Sequence, residues 1–193
     1  MIKFVLHGGE TSRNSPDNDL FFGQFTSLVE KDNVNILMCY WAKKRHRWEE
    51  TLKRDVEFVK KHSNKTMSFI MLDKPADLKE KMKDCDVLYV AGGDAENIEP
   101  YYAEIKDLKD YLANKVYIGS SMGAFLVASS YVLSMGDQDV NTVHNGLGIL
   151  PINILCHWDI EDKKERKLKL LNDKSSGLPI LTLDECKFTT LIY

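Results

Sequence analysis

Through residue 131 of this chain, short apolar runs alternate with stretches of helical spacing, and no other feature restricts the fold as strongly. The runs fall at residues 2–6, 34–41, 67–72, 86–90 and 116–118. Helical spacing fills residues 20–30, 47–62, 75–83 and 98–112, and in the second of these Trp48, Leu52, Val56 and Val59 form one stripe. A short apolar run rich in β-branched residues reads as a buried strand. Strand and helix in strict alternation imply a parallel sheet with right-handed crossovers and helices on both faces. The expected fold is α/β: a three-layer, doubly wound, mostly parallel sheet in one domain over residues 1–193. That length is enough to bury a full core. Ligands of such sheets sit outside the carboxyl ends of the strands.

Three of those ends carry glycine turns: Gly8-Gly9, Gly92-Gly93 and Gly119. The last belongs to Gly119-Ser120-Ser121-Met122-Gly123, with a strand before it and the small, apolar helix start Ala124 to Ala128 after it. A strand driven into a helix through Gly-x-Ser-x-Gly is the nucleophile-elbow pattern. Its tight turn points one hydroxyl, here that of Ser121, out of the sheet beside a helix N-terminus, where free amides can meet an oxyanion. Gly92-Gly93 is placed to supply a second amide, or is simply a tight turn. No G-x-G-x-x-G or G-x-x-x-x-G-K-[ST] occurs, so dinucleotide or phosphate binding has no motif behind it.

Beyond Tyr131 the pattern changes. Residues 134–144 are polar and read as a loop or short hairpin, and residues 146–151 as a turn into a strand at 152–156 that ends at His157. A charged helix is expected at 161–171, a strand at 178–183 ending in Asp184-Glu185, and a last strand at 188–193.

The formal charge of −3 gives no reason to expect nucleic acid or an anionic membrane as partner. The local basic cluster Lys43, Lys44, Arg45 and Arg47 precedes Glu49 and Glu50 and reads as a solvated helix face. The four cysteines are scattered without C-x-x-C or paired metal spacing, no apolar run is long enough to span a bilayer, and residues 1–9 are too short for a signal peptide. A reduced, cytoplasmic setting is the expectation. Dimers are common on such folds, though nothing in the sequence marks a homodimer interface.

A serine hydroxyl needs a base, and an imidazole base needs a carboxylate to set its tautomer. His46 and His62 lie in polar helical surroundings, and His144 sits in the expected loop. His7 and His157 stand at strand ends. His157 is favoured because it follows the serine in a late strand and precedes the strand-end carboxylates Asp184 and Glu185. The resulting chain order, Ser…His…acid, differs from the Ser…acid…His of α/β-hydrolases.

These residues together resemble the peptidase S51 family, which includes aspartyl dipeptidase (peptidase E) and cyanophycinase, within the class I glutamine amidotransferase-like (flavodoxin-like) fold. The resemblance is carried by strand-GGD-helix at Gly92 to Asp94, by G-x-S-x-G-A at Gly119 to Ala124, by GLGILP at Gly146 to Pro151, by the strand-end His157 and by the late Leu183-Asp184-Glu185. It implies Ser121 as nucleophile and His157 as general base, oriented by Glu185 or, one register away, Asp184. It also implies Gly93 and Met122 amides as oxyanion hole, and Gly92 and Asp94 at the substrate. Neither metal nor organic cofactor is implied; the implied substrate is a small peptide, often with an amino-terminal aspartyl residue. Two departures stand out. Met122 occupies a position usually held by alanine, and after His157-Trp158 the chain runs Asp159, Glu161, Asp162 where the family has closely spaced arginines. Arg166 is then the nearest guanidinium for a substrate carboxylate. The alternative is a non-catalytic module on the same fold that binds a small molecule or protein.

Overall fold

The computed structural model describes residues 1–133, 141–174 and 177–193. Strand β1 (Lys3–His7) leads to helix α1 (Pro16–Ser27), then β2 (Asn33–Cys39), α2 (Trp48–Lys61), β3 (Thr66–Met71), α3 (Leu78–Asp84) and β4 (Val87–Val90). Two single-turn helices follow, α4 (Ala95–Ile98) and α5 (Leu108–Tyr111), then β5 (Val116–Ser120) and α6 (Met122–Val127). The remainder comprises β6 (Ser130–Val132), β7 (Val143–Asn145), β8 (Asn153–Leu155), α7 (Lys164–Lys174), β9 (Ile180–Thr182) and β10 (Phe188–Ile192).

The main sheet has six strands in the order β10-β1-β5-β4-β2-β3, parallel except for β10, which pairs antiparallel with β1 at the edge. Every residue of β4 and β5 is buried, as a parallel sheet covered on both faces requires. Helices α1 and α2 pack together, as do α3 and α5. Phe21, Phe22 and Phe25 of α1 fill the interior with no exposure; Phe22 stacks on Phe58 of α2, and Phe25 meets Tyr89 of β4 at a tilt. Because β1, β5, β4 and β2 are adjacent and parallel, their carboxyl ends share one rim of the sheet.

Four expectations change. Helix α1 begins at Pro16, earlier than the apolar spacing suggests, because the Ser15 hydroxyl caps it by accepting from the Asp17 amide (3.3 Å) and proline tolerates the first helical turn. The single helix expected at 98–112 is broken into α4, a 3-10 turn at Glu99–Tyr101 and α5, where Pro100 has no amide to continue the ladder. The late strands do not all join the main sheet: β7-β6-β8-β9 form a second, four-stranded sheet, and only β10 returns to the first. The hairpin reading of residues 134–144 lies partly outside the described residues; within them, β7 pairs antiparallel with β6.

The fourth change matters most for the site. The buried stripe of α2 is Trp48, Thr51, Asp55 and Val59, while Leu52 and Val56 are only half-buried. A carboxylate takes a core position there because it has partners. Asp55 accepts from Arg54 Nε (2.9 Å) and Nη2 (2.6 Å) through Oδ1, and from the Tyr40 hydroxyl (3.2 Å) through Oδ2. Burial pushes its pKa up, and the Arg54 guanidinium opposes that.

Candidate active site

Ser121 sits at the junction of β5 and α6 with φ 49° and ψ −109°, a strained backbone for a residue with a side chain. Its amide donates to His7 O at the end of β1 (2.9 Å), which anchors the turn to the neighbouring strand. Gly123 is required by close approach. A Cβ there would stand 2.0 Å from Val90 O, so any side chain would push the elbow off β4. This is the steric content of the Gly-x-Ser-x-Gly spacing.

His157 follows β8 in the left-handed region (φ 54°), and its amide donates to Gly8 O (3.1 Å). The ring lies flat against Gly9, where a Cβ would meet its Cε1 at 2.2 Å. The single turn Gly8-Gly9 thus seats both the backbone and the ring of His157. Nε2 is 3.1 Å from Ser121 Oγ and Nδ1 is 2.9 Å from Glu185 Oε1. A carboxylate only accepts, so Nδ1 carries the proton and the Nε2 lone pair faces the serine hydroxyl. Glu185 is 5% exposed; its amide donates to Asp159 Oδ1 (2.8 Å), and its second oxygen takes Arg13 Nη2. Between the two carboxylates left open by the sequence, the one against the imidazole belongs to Glu185, with Asp184 one residue out of reach. Asp184 serves through its backbone, its carbonyl accepting from the Lys187 amide (3.2 Å).

His7, the other strand-end histidine, lies buried beneath this site. The Gly9 amide donates to its Nδ1 (3.0 Å), and its Nε2 donates to Asn18 Oδ1 (2.8 Å). Burial lowers its pKa to about 4, so it is neutral at pH 7 and anchors the turn after β1. His144 is drawn elsewhere, to Glu99 (2.9 Å) and a stacked Tyr131.

A cleft of about 250 Å³ opens over Ser121 and His157. Its walls are the turn at residues 9–12, the Tyr89 side of β4, the turn from Gly92 to Asp94, and two cations, Lys43 and Arg54. Gly92 runs directly beside the serine, since a Cβ on it would meet Ser121 Cβ at 3.0 Å. Among the described residues, neither the Gly93 nor the Met122 amide donates to a protein acceptor. The Met122 side chain is buried in the core.

The expected guanidinium is corrected. Arg166 is exposed on α7 and does not line the cleft, because the charged helix packs over the second sheet. Lys43 and Arg54 were missed for two reasons: the basic cluster reads as a solvated surface, and an aspartate inside the α2 stripe hides which face is packed. The one usable signal was a charged residue, Asp55, at a heptad-spaced core position. Lys43 is half-buried, and among the described residues its ammonium makes no hydrogen bond or ion pair, although its backbone is bonded to Tyr40 and Trp48. Burial lowers its pKa, with Arg54 adding to the effect. Glu10 and Asp94, also at the cleft, are exposed at its rim.

The arrangement holds the parts for acyl transfer: a hydroxyl, a base with the correct tautomer, a buried carboxylate behind it and free amides beside it. Among the described residues, no group of three His, Cys, Asp or Glu side chains could hold a metal ion, and no helix is long and apolar enough to cross a membrane.

The family model described as Peptidase family S51 matches residues 4–191. No curated protein matches the chain. Among solved structures, a peptidase from an acI-B1 Actinobacterium is similar at a TM-score of 0.68 with 19% identity, covering 99% of this chain and 84% of that one. A putative peptidase E protein from Listeria monocytogenes EGD-e is similar at a TM-score of 0.64 with 17% identity, covering 100% of this chain and 99% of that one. At these identities the two structures establish the shared fold.

Proposed function

The chain belongs to peptidase family S51, and from that premise we propose that it is a serine-type peptidase that cleaves short peptides through an acyl-enzyme. The observation that carries the proposal is the unbroken relay from Ser121 Oγ to His157 Nε2 (3.1 Å) and from Nδ1 to Glu185 (2.9 Å). His157 takes the serine proton as Ser121 attacks the scissile carbonyl, and Glu185 holds the imidazolium that forms. The Gly93 and Met122 amides receive the oxyanion. His157 returns the proton to the leaving amine, then draws one from the water that cleaves the ester.

The order of strands suggests how a substrate lies. His157 rests on the turn after β1, Ser121 follows β5, Gly92-Gly93 follows β4, and Lys43 and Arg54 lie beyond β2. The leaving amine belongs beside His157, so the acyl residue extends toward the two cations. A side-chain carboxylate on that residue would meet an ammonium that has no hydrogen-bond or ion-pair partner among the described residues, and a guanidinium already braced by Asp55. This favours an amino-terminal aspartyl residue, with the specificity supplied from α2 and the loop before it.

A fluorophosphonate should form one adduct on the folded wild-type protein, at the peptide containing Ser121. Absence of any adduct would favour a non-catalytic binding module instead. For specificity, Lys43→Met is the cleaner variant, because removing Arg54 would also strand the buried Asp55. Loss of one charge-assisted hydrogen bond should reduce kcat/KM for an aspartyl dipeptide about 10-fold or more while sparing its asparaginyl counterpart. Equal losses on both substrates would refute the assignment of Lys43.

A further inference from the structure

The Glu185 carboxylate has two oxygens, and only one of them faces the histidine. The other is held by Arg13 Nη2, from a residue 172 positions away that the family resemblance does not bring forward. We infer that Arg13 is a positioning residue for the reaction, fixing the rotation of the Glu185 carboxylate and tying it to the turn that walls the cleft; the inference rests on the serine-peptidase reading above.

Three observations carry it. First, the pair is asymmetric: Arg13 is 52% exposed and Glu185 is 5% exposed. An ion pair with an exposed arginine adds little to stability, so anchoring the fold is a poor account of it. Its effect falls on the buried partner, whose remaining oxygen must stay in line with Nδ1. Second, Arg13 is itself held. Asn18 Nδ2 donates to Arg13 O (2.7 Å) and Glu10 O (2.9 Å), while Asn18 Oδ1 accepts from the neutral, buried His7. The Arg13 amide closes the turn on Glu10 O (3.1 Å). Third, the same turn lines the cleft through residues 9–12, and the far side of Glu185 is stitched to it as well. The Cys186 amide donates to Gly9 O (2.9 Å), and the Cys186 thiol lies 3.7 Å from Glu10 O. Cleft wall and carboxylate therefore form one unit, closed by Arg13. A carboxylate with one oxygen tied cannot rotate away when the imidazole becomes charged, whereas an untied one exchanges its partner for water.

The test compares wild type with Arg13→Ala and Arg13→Lys, using the second-order rate of fluorophosphonate labelling at Ser121 alongside kcat and KM for a dipeptide. Labelling rate reports serine activation and needs no peptide subsite. We expect Arg13→Ala to fold normally, keep KM, and lose about 10- to 100-fold in both kcat and labelling rate, the scale of a small misplacement in a catalytic relay. Arg13→Lys should keep a larger share, and added guanidinium should restore part of the Arg13→Ala rate without affecting wild type. If Arg13→Ala is labelled at the wild-type rate, or only its KM rises, the inference is overturned and Arg13 belongs to substrate binding or to the surface. If wild type itself is not labelled, the serine reading falls and takes this inference with it.

Discussion

Ser121→Ala should lower kcat by about 10⁶-fold, the scale seen when the nucleophile of a serine hydrolase is removed, and leave the fold intact. Among the described residues the hydroxyl bonds to His157 Nε2 alone, and the turn is held instead by the Ser121 amide on His7 O. Thermal unfolding of the variant should therefore overlay that of wild type. Adding His157→Ala to Ser121→Ala should cost almost nothing further, because residues acting as one unit are strongly non-additive. Residual activity within about 100-fold of wild type would point to a second nucleophile, since a lone oxyanion hole leaves far less. The neighbour to examine then is Ser120, whose hydroxyl is 3.5 Å from His7 Nδ1 but only 3% exposed.

The second large effect separates two adjacent carboxylates. Glu185→Gln should reduce kcat by about 10⁴-fold, whereas Asp184→Asn should change it by less than about 3-fold. An amide at position 185 has the size of the carboxylate but can present an N–H to Nδ1. The imidazole then holds its proton on Nε2, the wrong nitrogen, and cannot accept from Ser121. Arg13 would lose its anionic partner in the same step. Because Glu185 is buried and Asp184 half-buried, both variants need a stability control by unfolding midpoint. Comparable losses from the two would mean that the carboxylates share the role, and a larger loss from Asp184→Asn would refute the assignment of Glu185.

Much of this architecture was legible beforehand. The strands of the main sheet announce themselves as apolar runs, and the elbow is written in five residues, because a glycine such as Gly123 answers a local steric demand. His157 could be favoured over His7 because its strand end follows the serine and precedes Asp184 and Glu185. What stayed hidden has a common cause. Asp55 breaks the expected stripe of α2, and an aspartate in a core position is understood only once Arg54 and Tyr40 are seen around it. Pro100 splits a stretch whose apolar spacing is otherwise helical. The allocation of late strands between two sheets follows from hydrogen-bond partners, which periodicity does not encode.

Composition and spacing alone thus determined most of the elements, their alternation, the tight serine turn and the side of the sheet on which chemistry could occur. These depend on interactions between residues a few positions apart, and such interactions are visible in a linear string. Only tertiary structure decided that Glu185 rather than Asp184 meets the imidazole, that Arg13 holds it from behind, and that Lys43 and Arg54 rather than Arg166 face the cleft. Those outcomes depend on strand order and on which helix covers which face, and so on contacts between segments tens to more than a hundred residues apart.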